Sequence, residues 1–147
     1  MPHTLIKAML IVVFVLVSTF ISAFLILLLD RSEPVHAMGF RFLSSSVQAG
    51  DPVILEWQAI ELRPWCNGRI HRTWIDANGI SYDGAASDFI IIRHPEPTYR
   101  RTLIVPAGMS PGPALYVSSV ERWCNGVQER WWRMWWDYPT LKIDIAP

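Results

Sequence analysis

The sequence has almost no lysine. Of its 13 basic side chains only Lys7 and Lys142 are lysines; the rest are arginines, which suit bidentate pairing with carboxylates and stacking on aromatic rings. Net charge is missing too, since 13 acidic side chains cancel the 13 basic ones. A neutral chain offers no electrostatic footprint for nucleic acid, and none is expected as a partner. Cysteine is scarce. Cys66 and Cys124 are the only two, too few for a four-ligand zinc site unless histidines join them, and their spacing to His71 and His94 matches no zinc signature. No metal and no other cofactor is expected. Phrases that carry chemistry are absent as well: there is no glycine-rich phosphate loop, no Ser or Cys elbow, no His-Glu-x-x-His and no carboxylate pair. Glu56, Asp76 and Asp88 read as solvated or arginine-paired carboxylates. No catalytic residue is assigned, and the chain is not expected to be an enzyme.

What the sequence does have is one long apolar run. Residues 8–29 contain no charged side chain, and only Ser18, Thr19 and Ser22 are polar. A helix satisfies short hydroxyls against its own carbonyls. At ~1.5 Å rise per residue the run reaches roughly 33 Å, enough for a hydrocarbon core of about 30 Å. Within lipid a single span must satisfy its own backbone and is therefore helical. The expected organisation is a cytoplasmic head over 1–7, a transmembrane helix over 8–29, a juxtamembrane linker over 30–39 and one extramembrane domain over 40–147. A cleaved signal peptide is the competing reading. Its apolar core usually runs about 7–15 residues, shorter than this one, but Val35-His36-Ala37 offers small residues for cleavage after Ala37. Both readings export the same domain. The α-amino group, His3 and Lys7 precede the run, and Asp30, Arg31 and Glu33 follow it. The positive-inside rule then gives a single-pass protein with its N-terminus cytoplasmic and its C-terminal domain periplasmic or extracellular.

The domain reads as short strands between Gly/Pro turns. Phe40-Arg41-Phe42 begins the first. After the turn at 48–52, Val53, Leu55 and Trp57 share one face. Residues 69–75 form a strand, Ala77-Asn78-Gly79 a hairpin turn and residues 80–82 the return. Residues 83–88 read as a small-residue loop, 89–92 as a short buried strand and 99–105 as another. Residues 114–123 make a long strand, and Leu141, Ile143 and Ile145 alternate in the last. Ala49-Gly50-Asp51-Pro52-Val53-x-Leu55-x-Trp57 resembles the turn into the second strand of immunoglobulin-like domains. Pro111-Gly112-Pro113-Ala114-Leu115-Tyr116 resembles the approach to their penultimate strand. The resemblance implies an all-β fold, an immunoglobulin-like antiparallel β-sandwich over 40–147 behind one transmembrane helix.

Trp65-Cys66-Asn67-Gly68 recurs as Trp123-Cys124-Asn125-Gly126. In each copy Asn-Gly reads as a tight turn. In such a sandwich the two phrases fall in loops at one end. The cysteines are then neighbours, and a disulfide between them is expected as a staple across loops, worth roughly 4 kcal/mol in the chain-entropy model. Two free buried thiols are the alternative.

Residues 131–138 are the most unusual stretch, Trp131-Trp132-Arg133-Met134-Trp135-Trp136-Asp137-Tyr138. As a strand it puts Trp131, Arg133 and Trp135 on one face and Trp132, Met134 and Trp136 on the other; as a helical turn the four indoles share a side. Three uses compete: filling the core, contacting a protein or glycan, and docking at the membrane interface, where Trp is favoured. Trp131, Trp132, Arg133, Trp135 and Trp136 are the candidate partner-binding residues. The architecture resembles small single-span proteins with an immunoglobulin-like domain found in bacterial envelopes and phage genomes. The expected function is a non-enzymatic, membrane-anchored binding or structural module with a protein partner or a second copy of itself. The alternative is a phage or envelope assembly component whose apolar helix drives insertion or oligomerisation.

Overall fold

The computed structural model describes residues 3–32, 35–61, 66–90 and 98–147. The chain is an N-terminal apolar helix followed by a β-rich domain of two sheets. Helix α1 (His3–Leu29) has no buried side chain and is long and apolar enough to cross a membrane. Thr19 returns its hydroxyl to the Val15 carbonyl at 2.8 Å, so a polar atom in the run is satisfied within the helix.

The strands are β1 (Val35–Phe42), β2 (Ser46–Gln48), β3 (Pro52–Glu61), β4 (Asn67–Ile75), β5 (Ser81–Ile90), β6 (Thr98–Ile104), β7 (Gly112–Trp123), β8 (Met134–Asp137) and β9 (Leu141–Ala146), with a short helix α2 (Gly126–Trp131) between β7 and β8. One sheet has the order β1-β3-β6 and the other β2-β9-β7-β4-β5, with β8 on the edge of β7. Among the described residues the strand pairings are antiparallel except that of β2 with β9. Strands β8 and β9 take successive stretches of one β7 edge: β8 faces Ser119 to Arg122, and β9 faces Gly112 to Tyr116. The backbone N–H of Tyr138 donates to the Ser118 carbonyl at 3.0 Å and continues the ladder between them.

Both sheets contribute to one apolar core. Val53 and Leu55 of β3 and Leu103 of β6 meet Trp74 of β4, Ala114 and Tyr116 of β7, and Ile143 and Ile145 of β9. The period-two pattern of β3 and β9 sends these side chains inward. Phe42 of β1 stacks on Trp74 at 5.7 Å between ring centroids, and Tyr116 meets Trp74 edge-on at 4.8 Å.

Three local expectations need correction. Strand β1 starts at Val35, inside the expected linker, because β3 extends to Glu61 and offers it a partner edge. The expected loop over 83–88 is strand, paired with β4. Its residues are small because Arg72 crosses them: a Cβ added at Gly84 would stand 3.1 Å from the Arg72 Cβ, and the Arg72 guanidinium donates to the Ala85 carbonyl and the Ser87 hydroxyl. Neither Asn-Gly of the repeated phrase makes a tight turn. Asn67 and Gly68 open β4 and pair on both edges, whereas Asn125 caps α2. The Asn78-Gly79 turn does form, with Gly79 at φ 78°. Asp76 organises it, its carboxylate accepting from the backbone N–H groups of Asn78 and Ile80, both at 2.9 Å, and of Ser110 at 3.2 Å. Burial pushes the Asp76 pKa up, but these donors outweigh it and the net shift is downward.

Candidate functional site

The C-terminal end of α1 is not free. A helix leaves its last carbonyls without intrahelical partners, and here two side-chain amides supply them. Asn125 Nδ2 donates to the Leu27 carbonyl at 3.2 Å, and Gln128 Nε2 donates to the carbonyls of Asp30 at 2.6 Å and Leu27 at 3.4 Å. The same two residues build α2. Asn125 Oδ1 accepts from the N–H groups of Val127 and Gln128, and Gln128 Oε1 accepts from the Cys124 N–H at 2.7 Å. Gln128 is completely buried. Asn followed three residues later by Gln is a helix-start signal; reading Asn-Gly as a turn hid it.

Cys66 and Cys124 form the disulfide, with Cα atoms 4.1 Å apart. It does not staple loops across the end of a sandwich. Cys66 immediately precedes β4 and Cys124 immediately follows β7, and these strands are neighbours with Asn67 opposite Trp123. The disulfide closes the last rung of that ladder and holds α2 at its end. Cys66 is wholly buried against Trp57 and Tyr99. Trp65, the first residue of the repeated phrase, and His94 lie outside the described residues.

The aromatic stretch is neither one strand nor one helical turn. Residue 131 ends α2 and residue 134 starts β8, so the indoles separate into three environments. Trp131 and Trp132 are exposed beside α1. The Trp131 ring meets Phe24 edge-on at 6.0 Å, the Arg31 guanidinium lies 5.1 Å from the centre of Trp132, and that of Arg130 lies 6.0 Å from Trp131. Met134 is buried, and Trp136 is half-buried with the Arg122 guanidinium over it. Trp135 points to the opposite side of its sheet, 56% exposed, and stacks on His71 at 5.1 Å.

Around Trp135 the outer face of β4, β7 and β8 carries paired charges. Arg133 donates to Glu121 Oε1 at 3.0 Å and to the Glu129 carbonyl at 2.8 Å while lying over the Trp123 ring. His71 Nε2 is 3.6 Å from Glu121 Oε2. Arg69 pairs with Asp88 at 2.6 Å, and that hydrogen bond holds the Asp88 carboxyl below its ordinary range. The outer face of the other sheet has its own cluster. Glu56 stands opposite both Arg41 and Arg100 in register and accepts from Arg41 at 2.6 Å and Arg100 at 2.9 Å. The Arg41 and Arg100 hydrogen bonds depress its pKa. A shallow depression lined by Glu56, Gln58, Thr98 and Arg100 lies beside it. Among the described residues no three His, Cys, Asp or Glu side chains gather in a metal-binding group.

No family model and no curated protein matches the sequence. Solved structures with a similar course include the alkylpurine DNA glycosylase AlkC of Pseudomonas fluorescens bound to DNA containing an abasic site analog, at 8% identity and TM-score 0.45, covering 78% of this chain and 31% of the glycosylase. The chain thus spans about a third of that protein's length. A structural-genomics target, SoR45, is similar at 13% identity and TM-score 0.41, covering 81% of this chain and 90% of the target. A conjugative transposon lipoprotein of Bacteroides eggerthii is similar at 12% identity and TM-score 0.33, covering 78% of this chain and 96% of the lipoprotein. The first comparison corrects the expectation that the chain is not an enzyme, because a structure it is similar to belongs to one. Lack of a motif does not exclude catalysis, since function belongs to sites grafted on folds. At that identity and TM-score the likeness assigns no activity to this chain.

Proposed function

We propose that this protein is a single-pass membrane-anchored module whose β domain binds a protein partner, or a second copy of itself, outside the cytoplasm. The exposed Trp135 carries the reading. It stacks on His71 and stands opposite Glu121 in register, with Arg133 paired to Glu121, and Trp and Arg dominate protein–protein hot spots. The apolar α1 supports anchoring; for a cytoplasmic N-terminus the α-amino group and Lys7 before the run stand against Arg31 after it. An immunoglobulin-like sandwich is the finer fold reading. The order β1-β3-β6 beside β9-β7-β4 supports it, as does the buried Trp74 on the strand where such domains keep a core Trp.

The test uses the full chain in its native membrane. Carbonate extraction and protease access to spheroplasts read anchoring and orientation. Cross-linking of wild type against Trp135→Ala then reads association. Loss of a cross-linked species without loss of the folded domain is the expected result; an unchanged cross-linking pattern would refute the binding face.

A further inference from the structure

Trp131 and Trp132 differ from Trp135 in what stands beside them. Phe24, which Trp131 touches, precedes the end of α1 by five residues, about 7.5 Å along the axis at ~1.5 Å per residue. The uncharged run 8–29 matches the hydrocarbon thickness within a few ångströms, so its last residue lies near the edge of the apolar layer and Phe24 lies below that edge. An indole touching Phe24 from outside the helix therefore sits at the boundary between acyl chains and headgroups, the level Trp favours. The domain cannot easily lift it away, because Asn125 and Gln128 fasten α2 to the carbonyls of Leu27 and Asp30.

Composition agrees with this placement. Trp131 and Trp132 are 65% and 46% exposed, large areas to leave against water. Trp131 meets the apolar side chains of α1 at Phe24. Arg31 and Arg130 stand over the two rings, and their guanidinium forks suit phosphate oxygens.

We propose that Trp131 and Trp132, with Arg31 and Arg130, form a lipid-contacting rim that seats the β domain on the headgroup layer of the bilayer that α1 crosses. The inference rests on α1 being a retained anchor and is independent of the partner face at Trp135. The full-length protein in phosphatidylcholine/phosphatidylglycerol vesicles tests it, using lipids with a nitroxide high on the acyl chain to quench tryptophan emission. Trp131→Phe/Trp132→Phe is expected to lose about half or more of the lipid-quenchable emission, as befits interfacial indoles, and Trp135→Phe almost none. Iodide in the aqueous phase should show the reverse order. Thermal melts confirm that the conservative variants are folded; if the double variant is not, iodide protection of the wild type against that of Trp135→Phe decides alone. Equal lipid quenching of wild type and double variant overturns the rim, as does full iodide access to Trp131 and Trp132, or shielding that arises only when a second protein is added. Failure of the wild type to partition into vesicles overturns the anchor and the rim together.

Discussion

Gln128 Nε2 stands 2.6 Å from the backbone oxygen of Asp30. This bond and that of Asn125 Nδ2 to the Leu27 carbonyl join the apolar helix to the β domain. Gln128→Glu should keep an acceptor for the Cys124 N–H, lose the donor to Leu27 and Asp30, and weaken the α1–α2 junction, leaving the Asn125–Leu27 bond. Gln128→Leu should lose both roles and destabilise the domain by about 1–3 kcal/mol, the cost of orphaned buried polar groups. Protease cleavage between α1 and β1, in detergent, should accelerate in both variants; wild-type cleavage rates would show that the junction does not depend on this side chain.

The disulfide closes a sequence separation of 58 residues. Cys66→Ser/Cys124→Ser should lower stability by about 2–5 kcal/mol, and reductant should reproduce that loss in the wild type. Mass shift on thiol alkylation should appear only after reduction.

Trp74 and Trp135 lie on neighbouring parts of one sheet but opposite faces, 2% and 56% exposed. Trp74→Ala should cost about 3–5 kcal/mol in denaturant titration. Trp135→Ala should stay within about 0.5 kcal/mol of wild type. Comparable losses in both would make Trp135 a core residue and remove the proposed partner face.

Acid should weaken the fold through Glu56 and Asp88, whose carboxyls are held low by Arg41 and Arg100, and by Arg69. A carboxyl with a lowered folded-state pKa contributes stability that is present above its unfolded value, ordinarily 4.5 for Glu and 3.8 for Asp. That contribution disappears as pH falls through the lower folded value. The melting temperature should therefore drop across and below that range. Glu56→Gln should be less stable than wild type at neutral pH and fall less steeply in acid. Parallel acid limbs for the two proteins would remove Glu56 from the explanation.

Strands whose side chains divide cleanly between core and solvent were readable from sequence, as at Val53/Leu55 and Ile143/Ile145. So were the turns fixed by Gly50 and Gly79, where the backbone takes φ 92° and 78°. What escaped were residues whose role depends on distant partners. Gly84 looks like a loop glycine until Arg72 is seen to need its space. Asn67-Gly68 and Asn125-Gly126 are identical in letters, yet one pairs in a sheet and the other caps a helix, because only the first has strands on both sides. The aromatic stretch resisted a single period because it contains a change from helix to strand at residues 132–133. Its division among the α1 end, the Trp136 side and the Trp135 face depends on where β7 offers an edge.

Only residues 30–34 separate Leu29 from Val35. Six Cα steps at no more than about 3.5 Å each keep the leash between helix and first strand to about 21 Å at most. If α1 is anchored, the start of the β domain stays close to the lipid surface. On the anchored reading, its encounters are confined to two dimensions. A ligand of modest intrinsic affinity that shares the leaflet is then sampled far more often than one free in bulk.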